Sequence, residues 1–230
     1  MSARPTFHIR GLEEGLGDDQ FMIDAFNASL VHLASIGSGG QWGSEPFSER
    51  PDVEDRAKIF KQALRYQTTG EGEPRLIFII EAEIPSSAVD ELPASLKVRT
   101  DDAGRKLLPV GTVMLSEGIY AHYMSHFFHQ DPIKKELDGT RDYLYLEALI
   151  TDYRAGPWRA GAGAALIEHS RQFCRERGKR IIYIDSYAGN DGKLVRYYEK
   201  QGFSLVDYFE GPKPDGSMWP GAFYRMDVPE

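Results

Sequence analysis

Two periods of apolar and polar residues run along the chain, and the switches between them mark out its elements. Tyr143-Leu-Tyr-Leu-Glu-Ala-Leu-Ile-Thr151 is apolar almost throughout, as expected of a strand buried on both faces. Arg180-Ile-Ile-Tyr-Ile184 is a second such run. Between them lie a glycine loop, Trp158-Arg-Ala-Gly-Ala-Gly-Ala164, and a helix-like run from Ala165 to Arg177. The order strand, glycine loop, helix, strand predicts a βαβ unit. Upstream, Thr6–Arg10 reads as a short strand. Phe21, Ile23, Ala25, Phe26, Leu30, Leu33 and Ala34 form a mostly helical stripe, with Asp18 or Asp19 as N-cap. Ile36-Gly-Ser-Gly-Gly40 stops that helix. Glu54–Tyr66 reads as a second helix, amphipathic through Ala57, Phe60, Ala63 and Leu64.

Arg75–Glu83 and Leu107–Ser116 read as two strands that form an antiparallel part of the sheet. Two more polar stretches, near 86–106 and 118–142, read as insertions. Downstream come a loop from Asp185 to Gly192, a helix from Lys193 to Gln201, and a strand Phe203–Phe209. A Gly/Pro-rich loop from Gly211 to Gly221 and a last strand Ala222–Val228 complete a hairpin. With no internal repeat, one domain over residues 1–230 is expected, of mixed α/β (α+β) class.

The glycine loop carries the first chemistry. Gly161 and Gly163 have no Cβ, so the backbone can turn tightly and aim its N–H groups outward. The first N–H groups of a helix lack internal partners and lie at the positive end of its dipole, which suits a phosphate or pyrophosphate. A plain strand-to-helix turn would use the same glycines. A dinucleotide is one candidate ligand, with Asp185 at the end of the next strand as the ribose-binding acid. Against it, the third glycine position is Leu166, and too little chain follows Asp185 to complete a doubly wound sheet.

Coenzyme A is the other candidate. Gly161-Ala-Gly163-Ala-Ala-Leu166 resembles the pyrophosphate loop, Gln/Arg-x-x-Gly-x-Gly/Ala, of the GNAT superfamily of N-acetyltransferases. Tyr198-Glu-Lys-Gln-Gly-Phe203 resembles that family's Tyr-Glu-x-x-Gly-Phe segment, in the right order and across a strand of the right length. The resemblance covers roughly 143–230. It departs from the family at the Gln/Arg position, which falls on Trp158 with Arg159 beside it, and in a long approach, Asp152–Pro157.

The resemblance implies the GNAT acyl-CoA N-acyltransferase fold, a mixed central sheet with a splayed parallel strand pair and helices on both faces. It also implies acetyl-CoA as cofactor. The backbone of Leu149, Ile150 and Thr151 would pair with pantetheine, a β-augmentation by a cofactor. Trp158, Arg159, Ala160, Gly161, Ala162, Gly163 and Ala164 would surround the pyrophosphate, and Asn190 would contact the cofactor. Tyr198 stands at the position of the acid, with Tyr197 as the structural alternative. Glu147, a carboxylate in an otherwise apolar strand, is the candidate base, with Asp185 behind it. Gln41 and Trp42, between the first two helices, and Trp219, in the hairpin loop, are acceptor-site candidates; core packing is the other reading of each tryptophan.

Composition narrows the partners. The chain has 230 residues and a formal net charge of −8, which argues against a dedicated nucleic-acid or anionic-membrane binder. Arg159, Arg171, Arg175, Arg177, Lys179 and Arg180 nonetheless cluster around the glycine loop and its helix, which suits an anionic cofactor. Absence of a signal-peptide pattern and of a long apolar segment predicts a cytoplasmic protein. The single cysteine, Cys174, allows no internal disulfide and reads as a buried, inert thiol. His122, His126 and His129 would share a face on a helix, but no Cys or Glu pattern supports them, so no metal is expected.

The expected function is acetyl transfer from acetyl-CoA to a primary amine of a small molecule, by a monomer or homodimer. The alternatives are a peptide or protein N-acetyltransferase, a non-catalytic acyl-CoA-binding domain, and, more remotely, an NAD-binding unit.

Overall fold

The structure is a computed structural model that describes residues 5–120, 122–127, 130–213 and 216–229. In chain order the elements are β1 (Phe7–Gly11), α1 (Asp18–Ser35), α2 (Val53–Thr69), β2 (Arg75–Ile84), α3 (Ser86–Val89), β3 (Arg99–Thr100) and β4 (Lys106–Glu117). A 3-10 stretch (His122–Phe127), α4 (Asp131–Gly139) and β5 (Tyr143–Thr151) follow. After a second 3-10 stretch (Tyr153–Arg159) come α5 (Ala162–Glu176), β6 (Ile181–Tyr187), α6 (Gly189–Lys200), β7 (Ser204–Pro212) and β8 (Met218–Asp227). The strands hydrogen-bond in the order β1-β2-β4-β5-β6-β8-β7, with β3 on β4. β5 and β6 are parallel, while β1–β2, β3–β4, β6–β8 and β7–β8 are antiparallel. The sheet is therefore mixed, and β8 lies antiparallel beside β6 where a doubly wound dinucleotide fold would place another parallel strand.

By contact density the chain forms two compact units. The first is Met1–His32, Ser44–Met114 and Ala148–His169; the second is Leu33–Gly43, Leu115–Glu147 and Ser170–Glu230.

In the first unit the continuous apolar run of β2 is buried at nearly every position. Ile77 and Ile79 of β2, Leu12 and Ala63 form a core, against which Phe21, Met22, Phe60, Leu64 and Met114 pack. The amphipathic stripe of α2 thus meets β2, as its periodicity predicts, while α1 contributes Phe21 and Met22 near its start. α2 ends where Gly70 takes the left-handed conformation (φ 74°) and donates its N–H to Tyr66 O. Charges buried in this unit are paired. Arg10 forks onto Asp18 at 2.7 and 2.8 Å, and Arg99 forks onto the fully buried Glu81 at 2.7 and 2.5 Å.

Gly111 is a close-approach glycine. A Cβ there would lie 2.7 Å from Ile150 O and 3.1 Å from Ile80 Cγ2. Gly111→Ala is expected to destabilise the protein by about 1–3 kcal/mol through overpacking against backbone that cannot retreat. Urea unfolding would show this as a lower midpoint with an unchanged slope, and an unchanged midpoint would mean that the strand ends shift freely.

In the second unit the strands run β5-β6-β8-β7. Tyr143, Tyr145, Ile181, Tyr183, Phe209 and Phe223 form one aromatic-rich core with Met124, Phe127, Ile133 and Leu137. The last four come from the 118–142 insertion, which therefore covers a sheet face. Glu136 of α4 pins it there, accepting from Tyr183 Oη at 2.5 Å and from Arg225 at 2.7 Å.

Three sequence expectations need correction. The β7–β8 hairpin has no long loop, because pairing runs out to Gly211↔Trp219 and Pro212↔Met218, so Trp219 stands on β8. The prolines do not break it. Pro212 is on an edge strand, and Pro220 lies one residue beyond the last β6–β8 pair, Tyr187↔Gly221, so neither lacks a needed N–H. The helix after the glycine loop begins at Ala162 rather than Ala165, which puts Gly163 and Ala164 in its first turn. His122 and His126 fall on a 3-10 stretch instead of an α-helix, and His129 lies outside the described residues. Among the described residues no group of three or more His, Cys, Asp or Glu could hold a metal ion, and no helix is long and apolar enough to cross a membrane. Cys174 is buried, and burial pushes its thiol up to about 12, so at neutral pH it is a thiol and not a nucleophile.

Candidate active site

The parallel register of β5 with β6 covers Tyr143↔Ile181 to Leu146↔Ile184. β5 runs on through Glu147, Ala148, Leu149, Ile150 and Thr151, and β6 through Asp185, Ser186 and Tyr187. The ladder between the two strands thus ends at Leu146 and Ile184. The continuing part of β5 is only partly buried, apart from Ile150.

Asp152 closes β5, and its N–H donates to Val110 O at 2.8 Å. Its fully buried carboxylate accepts from the Arg154 N–H at 2.9 Å and from the Arg154 guanidinium at 2.8–3.1 Å. Arg154 also reaches Asp24 of α1 at 3.0 Å. Because Arg154 is held between two carboxylates, the turn after β5 is tied to α1. Gly156 then takes φ 52° and ψ −126°, a backbone region open to glycine, and the chain turns back.

That turn brings Arg159 to the end of β5. Its Nη1 donates to Thr151 Oγ1 at 3.3 Å, and its guanidinium carbon sits 3.7 Å from the Tyr153 ring centroid. Tyr153 also stacks with His32 at 4.0 Å. Burial first, and then the Arg159 charge, lower the His32 pKa below its usual value, so the imidazole is neutral at neutral pH. Sequence reasoning missed both rings. His32 sits in the last turn of α1 and Tyr153 in an irregular approach, and no local pattern couples them.

Gly161 precedes α5 with φ +92°. Its carbonyl accepts from Ala165 N at 3.0 Å, so it occupies the N-cap position of α5. Ala160, Gly161 and Ala164 are exposed, Trp158, Arg159 and Gly163 are partly exposed, and Ala162 is buried. The start of α5, with its first N–H groups and positive dipole end, therefore lies at the surface, its N-cap Gly161 two residues after Arg159 in the chain.

In the second unit, Tyr198 of α6 is 5% exposed and rests among Tyr197, Phe203 and Tyr224, at ring distances of 5.3, 5.7 and 5.8 Å. Burial pushes its phenol far above the ordinary value, helped by the neighbouring Tyr197 hydroxyl and the Asp185 charge. Tyr197 is less deeply placed, and its phenol is raised by burial alone. Asn190, Asp191 and Gly192 all take positive φ at the start of α6. Asn190 uses its amide nitrogen on Ile36 O at 2.8 Å and on Ser38 Oγ at 2.6 Å, tying α6 to the turn after α1. Gln41 and Trp219 meet, for Trp219 Nε1 donates to Gln41 O at 2.9 Å. Trp42 is partly buried.

Comparison with known proteins follows from this geometry. Residues 96–203 match the model of the acetyltransferase (GNAT) family. Over residues 96–203 the chain is thus similar to a GNAT-family acetyltransferase domain. The matched segment takes in β4, β5, the glycine loop, α5, β6 and α6, and it closes on Phe203. Solved structures agree on the GNAT fold over nearly the whole chain. A candidate phosphinothricin N-acetyltransferase is 15% identical, with a TM-score of 0.56, covering 98% of this chain and 100% of that one. The yncA protein of Salmonella typhimurium, solved with its cofactor acetyl-CoA, is 13% identical with a TM-score of 0.55, covering 97% and 95%. The ribosomal-protein-S18-alanine N-acetyltransferase of Escherichia coli is 15% identical with a TM-score of 0.51, covering 98% and 96%. No curated protein matches the chain in sequence. Acetyl-CoA is the cofactor of the GNAT family. Gln41, Trp42 and Trp219 lie outside the GNAT match.

Proposed function

We propose that this protein transfers an acetyl group from acetyl-CoA to a primary amine of a small molecule. The observation that carries the reading is the early end of the β5–β6 register at Leu146↔Ile184, with β5 running on to Thr151 and the Gly161 helix start following in the same chain segment. The residues present suit acetyl-CoA. Leu149, Ile150 and Thr151 continue an extended strand past its parallel partner, which suits the amides of a pantetheine arm. The N–H groups from Gly161 to Ala164, with the Arg159 guanidinium, suit a pyrophosphate. Trp158 and Ala160 flank that loop. Asn190 takes a supporting part, since its amide nitrogen is spent on the 36–38 turn.

When bound, acetyl-CoA supplies an activated acetyl thioester with a sulfur leaving group. An alkylammonium has a pKa of roughly 10 and is no nucleophile until it loses a proton. Glu147 stands one residue past the last pair of β5 with β6 and is assigned to take that proton at its carboxylate. Tyr198 holds its proton at Oη through neutral pH, the form in which a phenol serves as acid.

A small molecule is favoured over a peptide because Trp219 Nε1 closes on Gln41 O and joins two acceptor candidates, whereas a peptide needs an open groove. The test is calorimetric titration with acetyl-CoA, coenzyme A and NAD, followed by an amine screen with thiol detection. Micromolar acetyl-CoA affinity and turnover with small amines are expected. Acetyl-CoA binding without turnover on small amines or peptides would make the protein a binding module. Turnover on peptides alone would reassign the acceptor, and NAD binding without coenzyme A binding would overturn the reading altogether.

A further inference from the structure

We infer that Asn190 is a positioning residue for the acceptor amine: its side chain clasps the turn that carries Gln41 and makes no contact with acetyl-CoA. The inference rests on the acetyl-transfer reading and adds to it what holds the acceptor candidates in place. α1 ends at Ser35 and α2 begins at Val53, so the turn from Ile36 to Gln41 belongs to neither helix. Within it, Gln41 N donates to Ser38 O at 2.9 Å, and Ser38 N reaches back to Leu33 O at 2.7 Å.

The start of α6 shapes this contact. Asn190 and Asp191 take φ 53° and Gly192 takes φ 66°, three left-handed residues in a row. That region is costly for residues with a Cβ, and asparagine and aspartate tolerate it best among them. Such a run persists only where its surroundings hold it. Here it turns the Asn190 amide onto the 36–41 turn. Nδ2 donates to Ile36 O at 2.8 Å and to the Oγ of buried Ser38 at 2.6 Å. Ile36 O can only accept, which fixes the nitrogen as the atom that faces it. A side-chain amide nitrogen carries two N–H groups, and both are engaged. Gly37, between the two acceptors, takes φ 79°, and a Cβ there would stand 3.4 Å from Asn190 Oδ1. Glycine thus lets the turn close down on the amide.

The far end of the turn is held from β8 and β6. Trp219 Nε1 donates to Gln41 O at 2.9 Å. The Tyr187 ring lies 5.8 Å from that of Trp219, and a Cβ at Gly40 would stand 2.6 Å from the Tyr187 hydroxyl oxygen. The turn is therefore gripped at Ile36 and Ser38 by Asn190 and at Gln41 by Trp219. With glycine at 37, 39 and 40, its backbone has much freedom to lose. The two grips remove that freedom before any ligand arrives, and a site ordered in advance binds at less entropic cost. Loss of the Asn190 grip falls on amine binding, and neither on the chemical step nor on the cofactor.

The test is steady-state kinetics on the full chain with acetyl-CoA and three probes, propylamine, benzylamine and phenethylamine. Calorimetry with acetyl-CoA and hydrogen exchange of the 36–41 segment accompany it. Asn190→Gly keeps the left-handed backbone and removes the amide. It is expected to raise amine KM about tenfold, in line with two lost hydrogen bonds, while kcat and acetyl-CoA affinity stay within about twofold of the parent. Exchange at 36–41 is expected to quicken by about tenfold or more. Ser38→Ala removes one of the two acceptors and is expected to raise amine KM about threefold. It carries the kinetic test if Asn190→Gly melts at a lower temperature. Asn190→Asp separates the two roles, because a carboxylate accepts but does not donate at neutral pH. It loses the grip and would keep any cofactor contact made through Oδ1, so its amine KM is expected to rise with acetyl-CoA affinity unchanged. A fall of about tenfold in acetyl-CoA affinity in Asn190→Gly, with amine KM unchanged, makes Asn190 a cofactor ligand and overturns the clasp. Exchange at 36–41 as slow as in the parent overturns it as well. Unchanged amine KM in both Asn190→Gly and Ser38→Ala, with the parent active, overturns the clasp and leaves acetyl transfer standing. A parent that acetylates none of the amines overturns the acetyl-transfer reading and, with it, the part of Asn190 in acceptor binding.

Discussion

Replacing Tyr198 with phenylalanine is expected to lower kcat by about 10²-fold or more while acetyl-CoA affinity stays within twofold. General acid catalysis by a positioned group contributes typically about 10²–10⁴ in rate. The substitution removes one oxygen and keeps the ring among Tyr197, Phe203 and Tyr224, so the core around α6 survives. The pH dependence has a definite sign. Burial raises the phenol well above its ordinary pKa near 10, and a phenol is protonated below its pKa, so no alkaline loss of activity below pH of about 10 should come from Tyr198. Tyr197→Phe is the control and is expected to turn over like the parent. Loss of activity in Tyr197→Phe with a normal Tyr198→Phe would move the acid to Tyr197. A normal rate in both would show that the departing sulfur needs no phenol.

How much of this could be read from the chain depended on whether the signal was local. β5 was legible to the residue, Tyr143–Thr151, because its apolar run is bounded by Asp142 and Asp152. α2 was legible because Phe60, Ala63 and Leu64 of its stripe pack with β2. The hairpin was misread because glycine and proline counts suggested a loop, whereas Pro212 and Pro220 sit where the ladder asks nothing of their nitrogen. Asn190 was legible as a polar residue ahead of the helix read from Lys193. The three consecutive positive-φ residues that turn its side chain onto Ile36 and Ser38 leave no periodic trace.

The residues proposed for the acceptor were the least legible, for a geometric reason. Gln41 and Trp219 meet across 178 residues of sequence separation. The loop proposed for the cofactor was easier, because the chemistry proposed for it lies in backbone N–H groups, which a glycine pair at a strand-to-helix turn announces directly.

Gly161→Val tests that backbone chemistry, and it is expected to weaken acetyl-CoA binding by about tenfold to a hundredfold. Gly161 holds φ +92°, which a β-branched residue does not tolerate. Holding a non-glycine residue in such a region costs on the order of 1–3 kcal/mol, and tenfold in affinity corresponds to about 1.4 kcal/mol. A steric clash is not the cause, since the nearest atom to a Cβ there is Phe7 Cε2 at an ordinary 3.7 Å. The chain escapes the strain by rotating the peptide at the helix start, and that rotation turns N–H groups away from the pyrophosphate. The Gly161 carbonyl, which accepts from Ala165 N, would move with it. Gly161→Ala should show the same effect more weakly, because alanine lacks the β-branch. Calorimetry with acetyl-CoA reads the affinity, and a melting curve reads the cost to the fold, which should be small for an exposed turn. If Gly161→Val binds acetyl-CoA as tightly as the parent, the N–H groups of this helix start are not what holds the cofactor, and the role assigned to the loop falls with them.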